Sequence, residues 1–346
     1  MQRLLIYISI AIVLIVSTIN SLSAQIQSWN YQQYTTKDGL PNNNVVSMTQ
    51  DAEGFLWIAT SGGLCRYDGD EFISLNHDSK DSTTIPTDYI YDIKAIPNNK
   101  VVVSTLKGLF VMNPKTRHGY TIHNQGKNEW AAANDRFGEI HIYNNLKIIV
   151  VVNNSSIMYF NFDMKLLYSI EYPFFGTSKP MSFTNHHVLF LPDGNIIFWS
   201  STTERFEIAD YKQKRIYALS SLKNNPYYPI SKIGIPITFT IDSRQNVWYL
   251  TKDSLSCFDP MQQAIYSYPL IGEAKKVNWM LPLMFVDTHT LVMGYTDNEK
   301  GILYTIAYDS LNKRTSYPIT TKNKIGIYTS IYSLFTELPT KRWTFF

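Results

Sequence analysis

"LPNNNVVSMTQDAEGFLWIATSGGLCRYDG", residues 40–69, alternates short apolar runs with turn-forming residues. Val45 to Thr49 reads as a first strand. Asp51-Ala52-Glu53-Gly54 reads as a hairpin leading to a second strand that ends in Trp57. A Gly-Gly turn at Gly62-Gly63 leads to "LCRY", and Asp68-Gly69 turns the chain into an outer strand through Phe72. Asp and Asn suit such turns because they tolerate left-handed backbone and bond locally to it.

The same unit recurs. "GLCRYD" at Asp68 has counterparts ending at Asn113, Asn161, Asp210, Asp259 and, more loosely, Asp309, which places them 45 to 50 residues apart. An aromatic follows each: Phe72, Tyr120, Tyr168, Tyr217, Tyr266 and Tyr317. Upstream, the interval from Asp51 to Trp57 is matched by runs ending at Val103, Val151, Phe198, Trp248 and Met293. Two independent landmarks share one period, and four-stranded units of that length point to a β-propeller. No amphipathic helix of convincing length interrupts them, which excludes helical solenoids and βαβ folds. The expected fold is all-β: a seven-bladed-type propeller of four-stranded blades with the last blade incomplete.

Six blades fall at 43–80, 88–123, 130–172, 182–220, 236–270 and 279–318, with a partial seventh at 326–346 and a closing strand at 29–36. The chain stops inside that seventh unit, so it reads as a truncated piece. Its N-terminus has Arg3, an apolar run from Leu4 to Val16 and small residues to Ala24, the pattern of a signal peptide over 1–24; the propeller then covers 25–346. The alternative is an uncleaved anchor, for which the apolar run is short.

Composition agrees. Aromatics are 14 % of the chain, with 24 Tyr and 18 Phe, which favours pleated, half-buried surfaces. The net charge of +3 is scattered, without the basic run that nucleic-acid binding needs. Cys65 and Cys257 fall on third strands of non-adjacent blades, beyond the roughly 7 Å that a disulfide spans, so two reduced, buried thiols are expected.

Residues 39–68 resemble the two-component regulator propeller family: Gly39-Leu40-Pro41, Asn44, Gln50-Asp51, Gly54, Trp57, Ala59-Thr60, Gly63-Leu64 and Tyr67-Asp68 follow its repeat, with Ala59 where glycine is usual. The resemblance implies the periplasmic sensor region of a Bacteroides-type hybrid two-component system, the N-terminal propeller only, with relatives anchored in the inner membrane. It implies an oligosaccharide ligand, and as partners a second propeller, downstream sensor domains and a homodimer. No histidine-kinase motif stands in this chain, so it is expected not to be an enzyme. The rival readings are an exported propeller enzyme acting on glycans (lyase or glycosidase) and a scaffold without a ligand.

Site candidates are few. Asp68 and Asp70 supply too few oxygens for a calcium loop and read as turn acids. His186 and His187 are adjacent on a strand and point to opposite faces, so they cannot share a metal. Trp57 and Trp248 read as packing between blades. No catalytic residue, metal or cofactor is expected. The ligand candidates sit in loops leading to inner strands, where aromatics stack on sugar and amides bond to it: Asn128, Trp130, Phe174, Phe175, Tyr227, Tyr228, Lys275 and Trp279.

Overall fold

A computed structural model describes residues 34–123, 136–153, 156–171, 188–200, 203–233, 236, 238–269, 279–280, 284–285, 290–297, 300–307 and 324–328. Five sheets among them are four-stranded antiparallel meanders in chain order. The first holds β1 (Val45–Gln50), β2 (Leu56–Thr60), β3 (Gly63–Tyr67) and β4 (Phe72–Leu75). The second holds β5 (Ile90–Ile96), β6 (Lys100–Thr105), β7 (Gly108–Met112) and β8 (Gly119–Ile122). The third holds β9 (Phe137–Tyr143), β10 (Ile148–Asn153), β11 (Ser156–Asn161) and β12 (Leu166–Glu171). The fourth holds β13 (Val188–Phe190), β14 (Ile196–Ser200), β15 (Arg205–Asp210) and β16 (Arg215–Ala218). The fifth holds β17 (Thr238–Ile241), β18 (Val247–Leu250), β19 (Ser254–Asp259) and β20 (Ala264–Pro269). These are propeller blades, as the repeat predicts.

A sixth sheet has β21 (Trp279–Met280), β22 (Met284–Phe285), β23 (Thr290–Asp297), β24 (Lys300–Ala307) and β25 (Lys324–Tyr328). Here the structure departs from the sequence reading. The repeat assigns residues from 326 to a seventh blade, but β25 pairs with β24, Gly301 facing Tyr328. The alternation of Ile325 and Ile327 suits an outer strand as well as an inner one. Residues 329–346, and with them the rest of the expected seventh blade, lie outside the described set, as do residues 1–24, where a signal peptide is expected. Of the closing strand expected over 29–36, residues 34–36 belong to no strand. Tyr34 instead packs on the first blade, its hydroxyl 2.7 Å from that of Tyr67 and its ring 5.3 Å from Phe72.

The turn residues behave as their chemistry requires. Oδ1 of Asp68, Asn113, Asn161, Asp210 and Asp259 each accepts backbone N–H groups of the next turn, at 2.7–3.5 Å. In three of these turns the fourth residue on is left-handed: Arg117, Lys214 and Gln263, with φ of 63°, 56° and 54°. At the first hairpin Asp51 Oδ1 accepts from Glu53 and Phe55, and Oδ2 accepts from the Trp57 indole at 2.8 Å. Asp242 repeats this with Arg244, Asn246 and Trp248. The six-residue Asp-to-Trp interval is therefore a hydrogen-bonded clip.

The core lies between blades. Trp57, Ala59 and Leu64 pack with Val101, Val103 and Phe110 of the second blade. Val102 and Leu109 meet Phe137 and Val151 of the third. Val150 and Val152 meet Phe198 of the fourth, and Ile197 and Phe206 meet Phe239 and Phe258 of the fifth. These contacts correct the alignment of the units by one residue. The repeat makes Val103, Val151 and Phe198 equivalent to Trp57, but they face the preceding blade, whereas Trp57 faces the following one. A one-residue slip in a strand exchanges its faces. Cys65 and Cys257 are both buried and in no disulfide, and burial pushes the Cys65 thiol up to about 12.

Candidate functional site

The first strand of each blade is the innermost, so its polar side chains line the propeller's centre. In the first three blades these strands pair irregularly with their second strands, with register shifts between Val45 and Ser47, between Ile90 and Asp92, and between Val151 and Asn153 opposite β9. Such bulges re-aim side chains. They bring Ser47, Asp92 and Glu139 into equivalent places, two residues after Val45, Ile90 and Phe137. Two further on stand Thr49, Lys94 and His141.

This polar register stitches neighbouring blades. Ser47 Oγ donates to Asp92 Oδ1 at 2.6 Å, and the Ile140 backbone N–H donates to Asp92 Oδ2 at 2.8 Å. The Ala95 N–H donates to Thr49 Oγ1 at 2.9 Å. Asp92, only 6 % exposed, also lies 3.4 Å from the Lys94 ammonium. A buried carboxylate is tolerable because it is so fully paired.

Glu139 and His141 stand half-buried on the same inner strand. Burial, then the Asp92 charge, pushes the Glu139 carboxyl up to about 8, against the pull of Lys94. Burial, then Lys94, brings the His141 imidazole down to about 4. Near neutral pH the first is a protonated donor and the second a neutral imidazole. The His141 ring stacks on Phe190 of the fourth blade, 4.4 Å between centroids and 4° between planes. Uncharged donors and acceptors beside an aromatic surface suit hydroxylated ligands. Among the described residues no cluster of three His, Cys, Asp or Glu is arranged to hold a metal.

The sequence candidates fare differently. Asn128, Trp130, Phe174, Phe175 and Lys275 lie outside the described residues, and Trp279 opens β21. Tyr227, expected on a ligand-facing loop, is instead a wedge between the fourth and fifth blades, 7 % exposed, its ring 6.5 Å from Phe258. The 3-10 turns that carry it present Leu219, Leu222, Ile230 and Ile233 to the same core, so the loop folds inward. Burial first, then the acids of the Asp193 and Asp242 hairpins, raises its hydroxyl to about 12. Those hairpins are at the far end of the strands from the start of β17. Tyr228 is half-buried, with the Lys232 ammonium 5.0 Å from its ring centre. The inner-strand set is absent from the sequence candidates. Its signal, paired polar residues two and four places into the first strands of the first three blades, emerges only when the bulges are known.

Fold and geometry together make this an all-β propeller of four-stranded blades with a polar centre. Residues 39–62 match the model of the two-component regulator propeller family. Over 65 residues, 19 % of the chain, it is 37 % identical to a curated relative, histidine kinase P4 of Formosa agariphila, of which it spans 5 %. Its fold is that of the extracellular domain of a hybrid two-component system of B. thetaiotaomicron, at TM-score 0.59 and 18 % identity over 88 % of this chain and 39 % of that one. A second domain of this kind from the same organism, of a one-component system, gives TM-score 0.55 and 17 % identity over 82 % and 37 %. The chain thus spans well under half of the solved relatives it matches. Among the described residues no helix is long and apolar enough to cross a membrane.

Proposed function

We propose that this chain is the ligand-sensing propeller of a hybrid two-component system, acting in the periplasm and recognising an oligosaccharide without turning it over. The observation that carries the reading is the family repeat at residues 39–62, set in a propeller that shares its fold with extracellular sensor domains. The chemistry of the centre supports it: a carboxyl that keeps its proton, a neutral imidazole and a stacked aromatic pair are suited to hydroxyl groups and to the apolar face of a sugar. Asp92, a buried carboxylate here, is tied by hydrogen bonds to the inner strands on either side, through Ser47 and Ile140, and to the backbone N–H of Ile93 on its own strand. Signal output belongs to the partners: a second propeller, further sensor domains and a kinase, with a second copy of the sensor as the dimer mate. Binding shifts the population of sensor arrangements rather than making a product.

The test is to incubate the chain with a panel of plant and microbial oligosaccharides and to chromatograph the sugars afterwards. Retention of particular sugars on the immobilised chain, recovered unchanged, is the expected result. New shorter or unsaturated sugars would overturn it in favour of a glycosidase or lyase.

A further inference from the structure

The loop of residues 76–89, which joins the first blade to the second, bounds a cavity of about 210 Å³ between those blades. Its apolar lining is Leu64 and Leu75 of the first blade, Ile85 of the loop, and Phe110 and Met112 of the second blade. A dry cavity of about 150 Å³ with a lining of this kind is already large enough to admit benzene. The loop is fixed by its own bonds. The Asp78 N–H donates to Thr84 Oγ1 at 3.1 Å, and the Gly119 N–H of β8 donates to the Thr83 carbonyl at 2.8 Å. Walls set in advance cost a ligand little reorganisation.

The polar lining is Asn76, Thr84, Thr116, Arg117 and His118, with no acid among it. Three of these side chains are engaged. Thr84 Oγ1 donates to the Asp81 carbonyl at 2.8 Å, and Thr116 Oγ1 accepts from the His118 N–H at 3.4 Å. His118 Nδ1 lies 2.7 Å from Thr83 Oγ1 and 3.9 Å from the Asp81 carboxylate. Asp81 is outside the lining, and its Oδ1 accepts from the N–H and the hydroxyl of Thr83. Arg117 differs: it is exposed, and among the described residues its guanidinium makes no hydrogen bond and no ion pair. The geometry points to a site for a single-ring aromatic carboxylate, with the ring in the cavity and the carboxylate on Arg117. The planar guanidinium fork matches a carboxylate. Phe110 and Met112 favour an aromatic ring over an aliphatic body, through edge-to-face and sulfur contacts. The exposed Asn76 amide adds a donor at the rim. The site is separate from the inner-strand centre and from every sequence candidate, and it does not rest on the saccharide reading.

The experiment is titration of the whole chain, isotope-labelled at its methionine methyl groups, with benzoate and with uncharged benzyl alcohol. The Met112 methyl resonance is assigned by its loss in Met112→Leu, a volume-conserving change. Arg117→Gln keeps the left-handed turn, because glutamine holds the equivalent place at Gln263. Benzoate is expected to shift the Met112 signal saturably at millimolar concentration, and benzyl alcohol to bind more weakly. Arg117→Gln is expected to lose about tenfold in affinity for benzoate, the effect of one charge-assisted hydrogen bond, and to leave benzyl alcohol within twofold of wild type. No saturable shift of the Met112 signal with either probe would overturn the site. Benzoate binding within twofold of wild type in Arg117→Gln, or benzyl alcohol binding as tightly as benzoate, would overturn the carboxylate assignment. Each of these results leaves the sensor reading standing.

Discussion

Asp51 and Trp57 show how a single hydrogen bond can serve as a mark of repetition. The Trp57 ring is fully buried, and its indole N–H has the Asp51 carboxylate as its partner. Asp51→Ala removes three hydrogen bonds and leaves that buried donor without its acceptor. The expected cost is about 2–4 kcal/mol, read as a lower urea midpoint with an unchanged slope. An unchanged midpoint would mean that the clip is ornamental. Glu139 and His141 set the pH response. Glu139 keeps its proton in the folded chain up to about 8 against an ordinary 4.5, so its contribution is complete below about 4.5 and is lost as pH rises through 8. His141 is held down to about 4 against 6.5, so its contribution is present above 6.5 and is lost as pH falls through 4. The two oppose each other between these limits on the acid side. From 6.5 to 8 Glu139 acts alone, and stability falls with pH. Glu139→Gln is expected to flatten that decline in thermal melts taken across this range; a decline as steep as that of wild type would refute the assignment.

Among the strands and turns, much is legible in the sequence. Asp or Asn closing the third strand is a local necessity, because the turn needs an acceptor for its own N–H groups, and that need survives drift in the rest of the unit. The hydrophobic runs carry less. Val101 to Val103, Ile148 to Val152 and Ile196 to Phe198 are buried on both faces, so nothing in their sequence marks which side chain faces which blade. That is why the second, third and fourth units align one residue out while Trp248, anchored by Asp242, does not. Close strand approach is also invisible. A Cβ at Gly119, where β8 begins, would run into the Val111 carbonyl and stand 2.9 Å from Met112 Cα, both backbone atoms. Gly119→Ala is therefore expected to cost about 2 kcal/mol or more, since neither neighbour can yield without moving β7. A melting temperature within a degree of wild type would show that the second blade is looser than its packing implies.

At the scale of the molecule, the first five blades pack in the order of the chain among the described residues, each against the next in sequence. This makes the fold readable from a period and a few turn residues. The centre is not readable in the same way, because Ser47, Asp92 and Glu139 come together from three blades and are aimed by bulges. Tyr227 fails for the opposite reason: it looks like a loop residue, but its apolar neighbours carry its loop into a groove between blades. Saccharide recognition without turnover is the core of the functional reading, and isothermal calorimetry tests it in one trace. Injection of a bound hexasaccharide is predicted to give heats that saturate, with the baseline returning to its starting power after each addition. A baseline that stays displaced until the sugar is consumed would be the signature of catalysis and would contradict it.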